Sequence, residues 1–119
     1  MANNYFSFKQ FTIWHDRCAM KVGTDGVLLG AWSSTEGVNT ALDIGTGSGL
    51  VALMIAQRGV EKVVGVEIDT DAAQQAAENA AASPWSNNIR IESTDISNFK
   101  TEKKFDLIVS NPPYFEEAL

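Results

Sequence analysis

Cysteine, histidine, proline and cationic side chains are all scarce in this chain of 119 residues. Cys18 is the single cysteine, so no disulfide can close within the chain and nothing points to an oxidising compartment. A lone thiol of this kind is ordinarily a small buried hydrophobe. His15 is the only histidine, and beside a loop it reads as a packing or hydrogen-bonding residue rather than a base. No apolar run reaches the length of a membrane span, and Met1 to Tyr5 lack the basic start and apolar core of a signal peptide. The expectation is a cytoplasmic protein with no membrane partner. Nine Lys and Arg against fifteen Asp and Glu leave a net charge of −6, which argues against non-specific nucleic-acid binding by the surface as a whole. Repeats, low-complexity segments and interdomain linkers are absent too.

What is present is an ordinary globular composition, 45% apolar and 20% charged. A single domain of this length removes roughly 65% of its unfolded surface from water, enough for a real core. The charge is uneven. Before position 25, Lys9, Arg17 and Lys21 face Asp16 alone, whereas the remainder carries six basic and fourteen acidic residues. The mildly basic start reads as ordinary solvated surface.

The stretch Ala41 to Gly49 organises the rest. Leu42 and Ile44 suit a buried strand; Gly45, Gly47 and Gly49, at alternate positions, let the backbone turn tightly and approach a ligand; Leu50 to Ala56 continues as an apolar helix. Alone, such a turn is equally a device for packing a helix on a sheet. Its context favours a nucleotide-like ligand: Asp43 precedes it, Glu67 ends the next apolar run, and Asn111-Pro112-Pro113-Tyr114 ends a later one.

Along the chain, residues 3–14 alternate aromatic and polar side chains, consistent with short strands or with a flap on the domain's edge. Lys21 to Gly26 reads as turn chemistry, and Val27 to Trp32 as a short apolar helix. Arg58-Gly59 is a helix ending, Val63 to Glu67 a strand, and Asp69 the N-cap of an Ala-rich helix over Ala72 to Ala82. Ile89 to Ile91 and Phe105 to Ser110 complete four strands. Their β-α-β-α-β-β order calls for right-handed crossovers, a mainly parallel sheet and ligands beyond the carboxyl ends of the strands.

In Asn111-Pro112-Pro113-Tyr114 the two prolines remove backbone donors and fix the turn. The Asn111 side-chain oxygen and the Pro112 carbonyl are then free to accept from a planar amino group, with Tyr114 stacked on the ring that bears it. A purely structural Pro-Pro turn is the alternative.

These residues resemble the S-adenosylmethionine-dependent methyltransferases. Leu42-Asp43-Ile44-Gly45-Thr46-Gly47-Ser48-Gly49 looks like that family's first motif, whereas the dinucleotide pattern G-x-G-x-x-G fails at Leu50. The resemblance implies a Rossmann-like α/β fold with S-adenosyl-L-methionine as cofactor. It implies that Glu67 accepts from both ribose hydroxyls with Ile68 beside it, although a capping or surface acid is the other reading. Asp95 would contact the adenine amino group with Ile96 against the ring, or simply cap a turn; the residues divide evenly between the two. Asp43 either fixes the glycine turn through its amides or meets the cofactor through water. Asn111-Pro112-Pro113-Tyr114 resembles the catalytic motif of amino methyltransferases, where Asn111, Pro112 and Tyr114 orient an amine for direct attack on the methyl, without base or metal.

Phe11 to Trp32 is similar to the start of the bacterial tRNA(Val) adenine-N6-methyltransferases. That likeness implies a tRNA substrate and places Lys21, Gly23 and Thr24 at the methionine end of the cofactor, Thr24 as a carboxylate partner. Residues 1–40 are then a cap segment and residues 41–119 the Rossmann-like core, together the cofactor half of one domain. The family continues with three more strands, so the fold expected here is truncated after the fourth. Its apolar last strand would be an exposed edge open to self-association. The alternatives are methylation of a protein glutamine amide or another base, and a non-catalytic cofactor-binding fragment.

Overall fold

The computed structural model describes residues 4–19, 21–101 and 103–111, and in them strands and helices alternate as the apolar pattern requires. Tyr5–Ser7 (β1) and Thr12–Trp14 (β2) form an antiparallel hairpin, so the N-terminal aromatic alternation is a pair of strands. Thr24–Trp32 (α1) follows, then Thr40–Ile44 (β3), Leu50–Gln57 (α2), Lys62–Glu67 (β4), Thr70–Ala81 (α3), Ile89–Ser93 (β5) and Leu107–Ser110 (β6). A 3-10 turn, Ile96–Asn98, lies between β5 and β6.

The main sheet is wholly parallel, in the order β5-β4-β3-β6. Central β3 places Ala41, Leu42 and Asp43 in the interior, and α2 covers it with an almost continuous apolar surface of Leu50, Val51, Ala52, Leu53, Ile55 and Ala56. A helix buried on nearly every side needs neighbours on every side. The sheet, α1, and Phe11 and Ile13 of the hairpin segment supply them. Asp106 sets the register at the open end of β3, its Oδ2 accepting from the backbone N–H groups of Asn39 (2.9 Å) and Thr40 (3.1 Å). Those donors hold its carboxyl below the usual range.

Two expectations need correction. The segment from Thr24 to Gly26 is not a turn but the first turn of α1. Gly26 and Gly30, one helical turn apart, let α1 approach α2: a Cβ on Gly30 would stand 2.8 Å from Met54 Cβ, and one on Gly26 would stand 3.0 Å from Leu50 Cδ2. Close tertiary packing overrides the turn preference of a glycine-rich stretch. The last strand begins at Leu107 rather than Phe105, and among the described residues β6 pairs only with β3. Arg58 also does more than end α2, since its guanidinium donates to the carbonyls of Gly30 and Ser33 at the end of α1.

Candidate cofactor and amine site

Parallel pairing brings the signalled residues to one end of the sheet. Ser110 is opposite Ile44, Ile44 opposite Val66, and Val66 opposite Glu92. The next residue on each strand therefore falls in one row, Asn111, Gly45, Glu67 and Ser93 in spatial order. Neighbouring strands lie about 4.8 Å apart, so Glu67 and Asn111 are separated by about 10 Å of backbone.

Between them the chain makes a turn that only glycine adopts freely. Gly45, Gly47 and Gly49 have φ of 71°, 57° and 89°. At Gly45 and Gly47 nothing stands within 4 Å of where a Cβ would be, so the backbone is bare toward the opening. Gly49 instead packs against α3, with Ala76 Cβ 3.4 Å from where a Cβ on this glycine would lie. Thr46 hangs inward beneath the turn. Its hydroxyl donates to Asp43 Oδ2 at 2.7 Å and would stand 2.8 Å from any Cβ at Gly65, which explains a glycine in the middle of β4. Asp43 is 1% exposed. Burial pushes its carboxyl up to about 7 despite the Thr46 hydroxyl and the Ala52 amide, both of which stabilise the anion.

Glu67 ties the turn to the next helix. Oε1 accepts from the Gly47 N–H at 2.8 Å and Oε2 from the Asp69 N–H at 3.0 Å, so this carboxylate is held by backbone donors. Asp69 in turn caps α3 by accepting from Asp71 N at 3.0 Å. A small cleft of about 30 Å3 joins Lys21, Gly23, Asp43, Gly45, Gly47 and Asn111. The Asn111 side chain packs beside α1, its Nδ2 2.9 Å from where a Cβ on Gly26 would lie. Thr24 does not line the cleft, but as the first residue of α1 it stands next to Gly23, which does. Lys21 does so with its ammonium already engaged, donating to the His15 and Cys18 carbonyls at 2.8 Å each. Asp95 accepts from Ser97 N at 3.0 Å and so caps the 3-10 turn, and the side chains of Ile68 and Ile96 are exposed. Pro112 and Tyr114 lie outside the described residues.

The sequence pattern carries no warning of the N-terminal anchor. Asn79, buried in the Ala-rich α3, accepts from Trp14 N and donates to the carbonyls of Trp14 and Ser48, thereby joining hairpin, helix and glycine turn. Gln75, one turn earlier, accepts from Arg17 N and Cys18 Sγ and donates to Asp16 Oδ1. His15 Nδ1 accepts from Val22 N at 2.9 Å, shaping the approach to Gly23. Burial raises the Cys18 thiol to about 11, so it is a packing residue. The glycine inside β4 is the available signal for Thr46; nothing local marks Gln75 or Asn79.

Among known proteins, the family model of the methyltransferase small domain matches residues 22–118. The chain is 60% identical over its whole length to a protein of Phocaeicola vulgatus named tRNA1(Val) (adenine(37)-N6)-methyltransferase, of which it covers 51%. It thus spans about half the length of the curated relatives it matches. Among solved structures it is similar to Arabidopsis thaliana protein arginine methyltransferase 10, at 27% identity with a TM-score of 0.65 over 73% of this chain and 25% of that one. It is also similar to the Trypanosoma brucei PRMT1 enzyme-prozyme complex with AdoHcy, at 26% identity with a TM-score of 0.64 over 72% of this chain and 27% of that one.

Proposed function

Because the chain belongs to the methyltransferase small domain family, we propose that it is the S-adenosyl-L-methionine-binding half of an enzyme that methylates the N6 amino group of adenine in tRNA. The row of Asn111, Gly45 and Glu67 along one sheet end carries this reading, because it places a carboxylate, a bare glycine turn and an amide side chain in the order an elongated nucleoside ligand needs. The names of the relatives support the substrate, and the AdoHcy complex of a structural neighbour supports the cofactor. Residues 1–40 serve as a cap segment on the Rossmann-like core of residues 41–119.

In this proposal the cofactor supplies an electrophilic methyl group. Glu67 holds the ribose hydroxyls, exchanging them for one or both of its present backbone donors. Gly45 and Gly47 admit the ligand against the main chain, with Gly49 closing the turn on α3. Asp43 fixes the turn from below. Lys21, Gly23 and Thr24 form the opposite wall, where the first N–H groups of α1 favour a carboxylate. Asp95, Ile68 and Ile96 flank the adenine end. Asn111 accepts from the adenine amino group and, with Pro112 and Tyr114, holds its lone pair toward the methyl group. Orientation and matched acceptors do this work without a general base.

Paired substitutions test the assignment. Asn111→Ala in the enzyme carrying this half should lower methyl transfer to tRNA by about two to three powers of ten while cofactor affinity stays within a few fold. Glu67→Ala should instead weaken S-adenosylhomocysteine binding by roughly ten- to a hundredfold in calorimetry. Transfer at the parent rate by Asn111→Ala sinks the amine-site reading. Transfer to a glutamine-containing peptide in preference to tRNA moves the substrate to a protein amide.

A further inference from the structure

The nine basic side chains of this acidic chain divide by what they already hold. Arg17 is ion-paired with Glu78, Lys21 is bound to two carbonyls near the cleft, and Arg58 caps α1. Lys9 lies between the hairpin strands. The other five, Lys62, Arg90, Lys100, Lys103 and Lys104, line one groove of about 580 Å3. Among the described residues only Arg90 has a carboxylate partner, Glu92 at 2.8 Å; the four lysine ammonium groups have neither an ion pair nor a hydrogen bond.

This groove lies away from the cleft. It starts at the amino ends of β3 and β4, at Thr40 and Lys62, and crosses β5 to the segment before β6. Phe99 and Phe105, with ring centroids 6.4 Å apart, give it an apolar wall, and Asn87 and Thr101 add neutral polar groups. Lys62 and Glu67 are the two ends of β4, so Lys62 stands about 16 Å from the site row along the strand, while on β5 the groove reaches Glu92, one residue short of that row.

We infer that the groove holds the sugar–phosphate backbone of RNA, an inference that rests on the tRNA reading above. A chain with a net charge of −6 repels a polyanion over most of its surface, and the cleft end of the sheet adds Glu67, Asp69, Asp71 and Asp95. RNA can approach productively only where the sign of the surface reverses. The groove is that place: among the described residues its four lysine ammonium groups are not committed elsewhere, whereas the basic bias of the N-terminal segment is largely consumed in internal contacts. Lysines act here as point charges, contacting phosphates without reading bases. The groove therefore positions the RNA, and selection of the adenine belongs to the cleft.

Fluorescence anisotropy with a labelled RNA stem-loop, titrated with this chain over a range of KCl concentrations, tests the assignment. The variant carrying Lys100→Gln, Lys103→Gln and Lys104→Gln should bind at least about tenfold more weakly at low salt, with a log–log salt slope shallower by about 2 to 3. Lys9→Gln should stay within about twofold of the parent, as salt-dependent losses follow the phosphate contacts removed. Unchanged calorimetric affinity for S-adenosylhomocysteine verifies the fold; if the triple variant loses it, Lys62→Gln with Arg90→Gln carries the same expectation from the strands. Parent-like RNA binding by the folded variants overturns the groove, as does a parent that binds no RNA at low salt. Displacement of RNA by polyglutamate as readily as by unlabelled RNA of equal charge overturns it in favour of an acidic protein. The underlying reading fails separately: if the lysine variants lose RNA while the enzyme methylates only a non-RNA acceptor, the groove stands and the tRNA assignment falls.

Discussion

At the scale of single residues, Asp43 gives the site a pH dependence whose sign can be worked out. Burial raises its carboxyl from an ordinary 3.8 to about 7, with the negative charge of Glu67 adding to the effect and the Thr46 and Ala52 donors opposing it. The folded chain then binds this proton more tightly than the unfolded chain, so the contribution of Asp43 to stability is greatest below 3.8 and declines as pH rises toward 7. Asp43→Asn removes that titration. In urea unfolding across a pH series, the parent should lose stability relative to Asp43→Asn through this window and hold a constant difference above it. A difference flat from acid to neutral pH would mean that the buried carboxyl titrates as it does in the unfolded chain. Two of the carboxylates singled out from sequence, Asp43 and Glu67, bond to the glycine turn or to the residue beneath it. Asp95 takes the capping geometry that the sequence left as one of two readings. A motif marks which residues gather near a site, but which of two compatible hydrogen bonds each makes depends on neighbours brought in by other elements.

At the scale of elements, α1 and α2 touch through glycines, and Gly30 is the tighter contact. Gly30→Ala gains about 1 kcal/mol of helix propensity, yet its methyl meets Met54 Sδ at 2.6 Å and Met54 Cβ at 2.8 Å. The sulfur can swing aside, whereas the Cβ moves only with the helix. Overpacking of this type costs about 1–3 kcal/mol, so the net change should be destabilising and show as a lower denaturation midpoint with an unchanged m-value. A midpoint equal to or above the parent's would mean that the two helices separate freely. The elements themselves are readable where local and tertiary demands agree, as in the apolar β3 and the Asp69-capped α3. They are misread at Thr24 to Gly26, where turn-forming residues are recruited into a helix because a flat surface is needed. Gln75 and Asn79 are invisible for another reason: amide side chains on an Ala-rich helix normally face water, and their partners lie 31 to 65 residues earlier.

At the scale of the whole molecule, β6 exposes one edge among the described residues, with Ile108 58% exposed. Such an edge is a template for a second strand. Sedimentation at increasing concentration should therefore show reversible self-association that Ile108→Lys suppresses, and a monodisperse parent at high concentration would refute it. No helix among the described residues is long and apolar enough to cross a membrane. The docking of the hairpin on α3 bears on the order of events during folding. The contacts of Asn79 with Trp14 and of Gln75 with Arg17 close loops of 65 and 58 residues, whereas β3, α2 and β4 are consecutive. Loop closure favours the consecutive unit, so the hairpin should join late, and the wall formed by Lys21 and Gly23 should join with it. During synthesis, the hairpin would then emerge before the helix it docks on and find its place after it, and the wall of the cleft would be complete only when that earlier segment came back to α3.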